Sequence, residues 1–315
     1  MRFALFLAGT LFASGCAAPA LDAPEMVDVF GGRGNGVGQL FQPMGVVVAP
    51  DGTVLVADTG NDRIQALAAG GEPLWSFGRR GENPGEFRRP MDIDVDGAGL
   101  IYVADFGGDR VQLFRPPGEF VRTLRGEGTP IGAMDGASGV LAAPGGEVYV
   151  ADFYHHRVLR FGKEGASLGQ IGLPGRILRG RLHYPTDLAW LDGRLVVADA
   201  YNHRIQLFSP EGNGLARWGG ALGLGFRGGL PGWFRTATGV ATDEGGRVYV
   251  ADFQNHRIQV FNRMGRLLAI FGSQGTGPGD FERPTDLDIA LDGRIYVVDF
   301  GNDRIQVFAP LSERK

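Results

Sequence analysis

The chain has 315 residues, 43% of them hydrophobic, with 53 glycines, 18 prolines and one cysteine. A formal charge of −4 excludes the strongly basic footprint of a nucleic-acid binder, and a lone cysteine excludes a disulfide-stapled fold. Length and apolar content suffice for one large core, and so many glycines point to turns.

Met1-Arg2 opens the chain, the apolar run Phe3 to Phe12 follows, and Ala13-Ser14-Gly15-Cys16 closes the segment. A positive start, a short apolar core and small residues describe a secretory signal, and the core is too short to span a membrane stably. Small residues directly before Cys16 resemble a bacterial lipoprotein signal, with Ala13 where leucine is usual. A lone thiol in an exported chain is explained by lipidation at Cys16; the alternative is cleavage near Ala18 or Ala20 and a soluble periplasmic protein. The expected division is a signal over 1–16, a tether over 17–25, a repeat domain over 26–310 and a tail over 311–315. The expected location is the bacterial cell envelope, with the membrane met only through the anchor. Export also disfavours a nucleic-acid partner, and a monomer is expected.

Val27-Asp28-Val29-Phe30-Gly31 reads as a strand with no local partner. Six copies of one stretch follow, starting at Val56, Val103, Val150, Val197, Val250 and Val297. Their aspartates are spaced 47, 47, 47, 53 and 47 residues apart, and a fixed period of that size means a repeat architecture. In the fifth copy Gly239-Val240-Ala241 is a short apolar run, and Arg247 to Asp252 is a β-branched and aromatic strand. Arg257 to Phe261 alternates polar and apolar, and Leu267 to Gly272 is a fourth strand. No repeat shows helical periodicity. Four antiparallel strands per unit, repeated radially, describe an all-β propeller of six blades. The sixth repeat ends after Phe308 without a fourth strand. The N-terminal strand matches the fourth-strand endings at Phe77-Gly78 and Phe271-Gly272, so it is expected to complete the last blade and remove the exposed edges.

The segment VADFQNHRIQVF, with GRVYV upstream and FG…G.F..P downstream, resembles the NHL repeat family over roughly residues 27–308. The resemblance implies the fold strongly and the function weakly. NHL-like propellers serve as RNA-binding modules, protein scaffolds and, in a few relatives, metal-dependent lyases.

Each motif aspartate stands five residues before an arginine, which a hairpin brings face to face: Asp58 with Arg63, Asp105 with Arg110, Asp152 with Arg157, Asp199 with Arg204, Asp252 with Arg257 and Asp299 with Arg304. Six copies suit structural ion pairs better than catalysis. The residue after the aspartate is Phe106, Phe153, Phe253 and Phe300 in four copies, which serves either packing between blades or a stacking surface. His156, His203 and His256 share one loop position and are expected to shape the loop.

The first strands line the channel and open with Gly45, Asp92, Gly139, Asp187, Gly239 and Asp286, with Asp94 and Asp288 two residues on. Three carboxylates near the axis repel one another unless something resolves the charge. A calcium or other divalent cation held by Asp92, Asp187 and Asp286 is one solution; arginines or backbone N–H groups and water are the other.

Two connections between blades carry no acid. One holds Arg176, Arg179, Arg181, His183 and Tyr184, and the longer one holds Phe226, Arg227, Trp233 and Arg235. Loops that depart from a repeat are where function is grafted. The expected function is therefore a binding or scaffold propeller that presents its loop face to an envelope protein, a glycan or an anionic ligand. The alternative is a metal-dependent lyase or hydrolase at the channel mouth. No catalytic nucleophile–base set is legible, which leans against an enzyme.

Overall fold

A computed structural model of the protein describes residues 21–126 and 132–313. Cys16 and residues 1–20, with the expected signal and lipidation site, lie outside the described residues.

The second strand of every repeat is apolar on both sides, as in Val248–Asp252, where all five residues are buried. A strand with alternate residues on opposite faces, and both faces apolar, must be sandwiched between neighbours. Val250 accordingly packs toward the preceding blade and Tyr249 and Ala251 toward the following one. Six such apolar clusters form, each shared by two adjacent blades. The core is thus a ring of interfaces around a central channel.

Six four-stranded antiparallel sheets result. Blade 1 holds Gly45–Val48, Val54–Asp58, Arg63–Leu67 and Pro73–Phe77 from the inside outward. The inner strands of blades 2 to 6 are Pro90–Val95, Ala137–Ala142, Pro185–Leu191, Ala237–Thr242 and Pro284–Ile289. Blade 6 takes its outer strand from the N-terminus: Met26–Gly31 runs antiparallel to Arg304–Phe308. The expected closure is therefore the observed one.

Residues 21–25, expected as tether, also engage the propeller. Leu21 donates its N–H to Leu268 and bridges Glu313, and the Glu25 carbonyl accepts from Ala309. These contacts lie on the face of the turns between third and fourth strands. The opposite face, called the loop face here, carries the motif loops and the connections between blades.

Candidate functional site

The motif loops are built around the aspartate. Asp252 sits opposite Arg257 in the strand register. Its Oδ1 accepts the Arg235 N–H at 2.7 Å, and its Oδ2 accepts from Arg257 Nε, Asn255 Nδ2 and Gln259 Nε2 at 2.7–3.0 Å. Arg257 then donates onward to the carbonyls of Leu230 and Trp233. The pair plugs the blade and holds the incoming connection. All six expected Asp–Arg pairs form, at 2.7–2.9 Å between Nε and Oδ2. Arg110 and Arg204 are almost fully buried with their aspartates. Burial raises the pKa of Asp105, Asp199 and Asp252 even with an arginine in contact. Two blades vary the plug: blade 2 has Gly108 where Asn is usual, and blade 3 places His155 Nδ1 3.0 Å from Asp152 Oδ2.

His156, His203 and His256 adopt left-handed backbone conformations, φ 51–55°. Each Nδ1 accepts a backbone N–H from the next connection, of Tyr184, Thr236 and Arg283 respectively. Asp62, Asp109 and Asp303 do the same at this position in the other blades. The position is an inter-blade staple. Burial lowers the pKa of His156 and His203, consistent with imidazoles that act as acceptors.

In the channel, glycine and aspartate alternate as the sequence requires. A Cβ on Gly139 would lie 2.5 Å from the Thr186 carbonyl oxygen and 2.9 Å from Asp187 Cα, and Gly45 and Gly239 are equally tight. Each aspartate thus has a glycine strand pressed against it on one side and reaches the inner strand on its other side. Asp92, Asp187 and Asp286 accept the N–H groups of Val140, Val240 and Val46 at 2.6–2.8 Å. Asp94 and Asp288 accept those of Ala142 and Val48. Each also accepts the N–H of the residue after it. Burial, then mutual repulsion, raises Asp92, Asp187 and Asp286 well above the ordinary carboxylate range. Burial pushes Asp94 up to about 7 and Asp288 to about 6. Among the described residues no three His, Cys, Asp or Glu side chains come together as a group able to hold a metal ion. The five aspartates line one channel cavity, and each already accepts two backbone amides, the solution by backbone N–H groups that the sequence allowed beside a cation.

The loop face divides at one motif position, the second residue after the aspartate. Blades 1, 2 and 6 have Gly60, Gly107 and Gly301 there, and a Cβ on any of them would lie 2.5–2.7 Å from a carbonyl oxygen of the preceding connection. Blades 3, 4 and 5 have Tyr154, Tyr201 and Gln254. On the glycine side lies a cavity of about 450 Å³ lined by Phe41, Gln42, Met44, Thr59, Asp62, Arg80, Arg88, Arg89, Phe253 and Phe300. Three arginines and one carboxylate line it, and Asp62 already accepts the Arg89 backbone N–H. Arg88 also meets the exposed Glu82 at 2.7 Å.

The expected partner residues are thus split. Phe253 and Phe300 line the cavity, whereas Phe106 and Phe153 contact each other at 5.6 Å across the boundary between blades 2 and 3. His183 and Tyr184 pack together on the tyrosine side with His156. Arg179, Arg181 and Arg227 are engaged with Leu215 O, Pro174 O and Gln254 Oε1. Arg176, Arg227, Arg235 and Phe226 are exposed, and Trp233 is half-buried. Sequence reasoning missed Phe41, Gln42, Arg80, Arg88 and Arg89. The doublets Arg79-Arg80 and Arg88-Arg89, beside glycine at the divided position, were the available signal.

A six-bladed ring with this plug in every blade defines a propeller built from one repeated unit. The chain carries five NHL repeats, matched at residues 42–67, 135–161, 182–208, 234–261 and 281–308. The second repeat lies outside those ranges but builds the same blade. No curated protein matches the chain in sequence. Among solved structures the fold is similar to a protein of unknown function from Bacteroides thetaiotaomicron, with TM-score 0.71, 16% identity, and coverage of 92% of this chain and 76% of that one. It is also similar to a gluconolactonase from Xanthomonas campestris, with TM-score 0.66, 14% identity and coverage of 94% and 100%. Virginiamycin B lyase from Staphylococcus aureus, solved with quinupristin as an inactive variant, gives TM-score 0.59, 14% identity and coverage of 85% and 84%. At such identities the likeness is one of fold.

Proposed function

We propose that this protein is a binding propeller that takes an anionic ligand on its loop face, in the cavity between blades 5, 6, 1 and 2. One observation carries the reading: Arg80, Arg88 and Arg89 line a concave, partly aromatic cavity in which Asp62 is the only carboxylate among the lining residues. Arginine suits such a role because its fork pairs with carboxylate or phosphate in a fixed geometry. Phe41, Phe253 and Phe300 supply the apolar wall that orients a ligand. The exposed Arg176, Arg227 and Arg235 extend the basic character around the rim toward blades 4 and 5. We prefer this reading to a metal-dependent lyase at the channel because each channel aspartate already accepts two backbone N–H groups.

The envelope location belongs to the same reading. Leu21 is held on the face opposite the cavity, and Cys16 stands five residues before it. Five residues reach at most roughly 18 Å, so a lipid on Cys16 would direct the cavity away from the membrane.

The test is calorimetric titration with citrate, glucuronate, benzoate and inorganic phosphate. At least one anion binds saturably, and Arg80→Ala/Arg88→Ala weakens it by about tenfold or more, as expected for hydrogen bonds to a charged group. Arg115→Ala/Arg263→Ala, in exposed pairs on the opposite face, leaves it unchanged. No binding by any of the four, or equal binding by both variants, would overturn the reading.

A further inference from the structure

The tyrosine half of the loop face is continuous with the cavity. Arg89 lines the cavity, and its guanidinium lies 5.6 Å above the Phe106 ring. Phe106 contacts Phe153 at 5.6 Å and Tyr154 at 5.7 Å. Phe153 contacts Tyr184 at 4.7 Å, and Tyr184 contacts Tyr201 at 5.0 Å. An unbroken aromatic ridge therefore runs from the cavity across blades 2, 3 and 4. Tyr154 and Tyr201 are 50% and 51% exposed.

The hydroxyls distinguish this ridge from ordinary packing. Of the seven tyrosines, Tyr102, Tyr149, Tyr249 and Tyr296 each donate to a partner: Asp96, Glu147, Asp243 and the Ala69 carbonyl. The hydroxyls of Tyr154, Tyr184 and Tyr201 bond to nothing among the described residues. Rings held rigidly by their neighbours, with free hydroxyls at their edges, cost little entropy to use for binding.

We infer that the ridge and the cavity form one track for an acidic oligosaccharide, with a uronate carboxylate at the arginines and further sugar rings over Phe106, Phe153, Tyr154 and Tyr201. The inference extends the anionic-ligand reading of the cavity and rests on it. Sugar rings offer C–H faces to aromatic side chains and hydroxyls to the tyrosine edges, which is what the ridge lacks. A single-stranded nucleic acid would need roughly parallel platforms for successive bases. The rings here cross one another at 39–89°, most of them steeply, along Phe106–Phe153, Phe106–Tyr154, Phe153–Tyr154, Phe153–Tyr184 and Tyr184–Tyr201. Asp135, exposed beside Tyr154, is the carboxylate at the outer end, and spacing between the ligand's charges must accommodate it.

The experiment is calorimetric titration of the full chain with mono-, tri- and hexagalacturonate, and with a single-stranded RNA hexamer. Affinity should rise by about tenfold or more from monomer to hexamer. Tyr154→Ala/Tyr201→Ala should abolish that gain and keep monomer binding, while Tyr154→Phe/Tyr201→Phe should keep part of it. Arg80→Ala/Arg88→Ala should abolish monomer binding. A length gain that survives the alanine pair, no length gain, or an RNA hexamer that binds more tightly than hexagalacturonate would each overturn the inference. Hexagalacturonate binding that depends on the tyrosines but not on the arginines would overturn the cavity reading and the single track with it, whereas arginine-dependent monomer binding with no length gain would overturn the track alone.

Discussion

The channel carboxylates make the pH dependence of stability a direct check on the interior. In the unfolded chain Asp94 and Asp288 ionise near pH 4, at the ordinary value. In the folded protein burial holds their protons up to about 7 and about 6. A raised folded pKa means that the folded state binds more protons between those limits, so the contribution is present below about pH 4 and lost as pH rises through 6 to 7. At about 1.4 kcal/mol per pKa unit, raising the pH from about 5 to about 8 costs about 2–3 kcal/mol at Asp94 and about 1–2 at Asp288, on the order of 4 together. His156, His183 and His203 titrate in the opposite sense: burial lowers them, so their contribution is present above pH 6.5 and lost on acidification. The native protein alone therefore mixes two slopes.

The difference between native protein and an Asp94→Asn/Asp288→Asn variant isolates the carboxylates. Each amide loses one of two N–H contacts, a cost of about 1–3 kcal/mol per site that does not change with pH. Urea unfolding followed by tryptophan fluorescence, with a chelator present, should show the native protein losing on the order of 4 kcal/mol relative to the variant across that window. Asp288→Asn alone should show about 1–2 kcal/mol, should the pair not fold. A difference constant with pH would refute the reasoning, because it would mean carboxylates that ionise at ordinary values in a hydrated channel. If the slope vanished only when calcium replaced the chelator, a cation would be holding the carboxylates after all.

Arg204→Ala leaves Asp199 buried and unpaired and should cost about 3–5 kcal/mol by urea unfolding, whereas Arg88→Ala, at an exposed pair, should cost no more than about 1 kcal/mol. Gly139→Ala forces a Cβ against the next blade and should cost about 1–3 kcal/mol, while Gly97→Ala, with nothing within 4 Å, should be near neutral. Deleting residues 1–31 removes the outer strand of blade 6, and sedimentation should then show aggregated or unfolded protein instead of a monomer.

Most of the fold could be read from the repeat. The period fixed six blades, and the unpartnered Val27–Gly31 matched the missing fourth strand. The Gly–Asp alternation at Gly45, Asp92, Gly139, Asp187, Gly239 and Asp286 also placed the carboxylates on the axis. Backbone N–H groups were one of the two solutions the sequence offered; that the donors are the Val140, Val240 and Val46 amides was not legible, since it depends on how adjacent inner strands approach. Attention to the acid-free connections found exposed arginines but not the cavity. Arg80 and Arg88 lie in a connection balanced by Glu82 and Glu86, and charge counting along the chain hides a local excess that only curvature creates. His156, His203 and His256 were placed correctly in the loop. Their role as acceptors became visible only with the amides of the next connection beside them.

One position per repeat differentiates the loop face without disturbing the plug beneath it. Where it is glycine, the N–H of Gly60, Gly107 and Gly301 reaches the preceding connection at 2.7–2.8 Å; where it is Tyr154, Tyr201 or Gln254, the same bond is 3.0–3.2 Å. The glycine half lets connection and loop close together and leaves no side chain above them, so space opens over Phe253, Phe300 and the arginines. The other half holds the connection slightly away and stands a side chain on top, a tyrosine in blades 3 and 4. The aspartate, the arginine and the apolar second strand are common to both halves, because each blade needs them to be held. A closed ring of near-identical units thereby acquires a hollow, cationic side and a raised, aromatic side from a choice between glycine and a side chain.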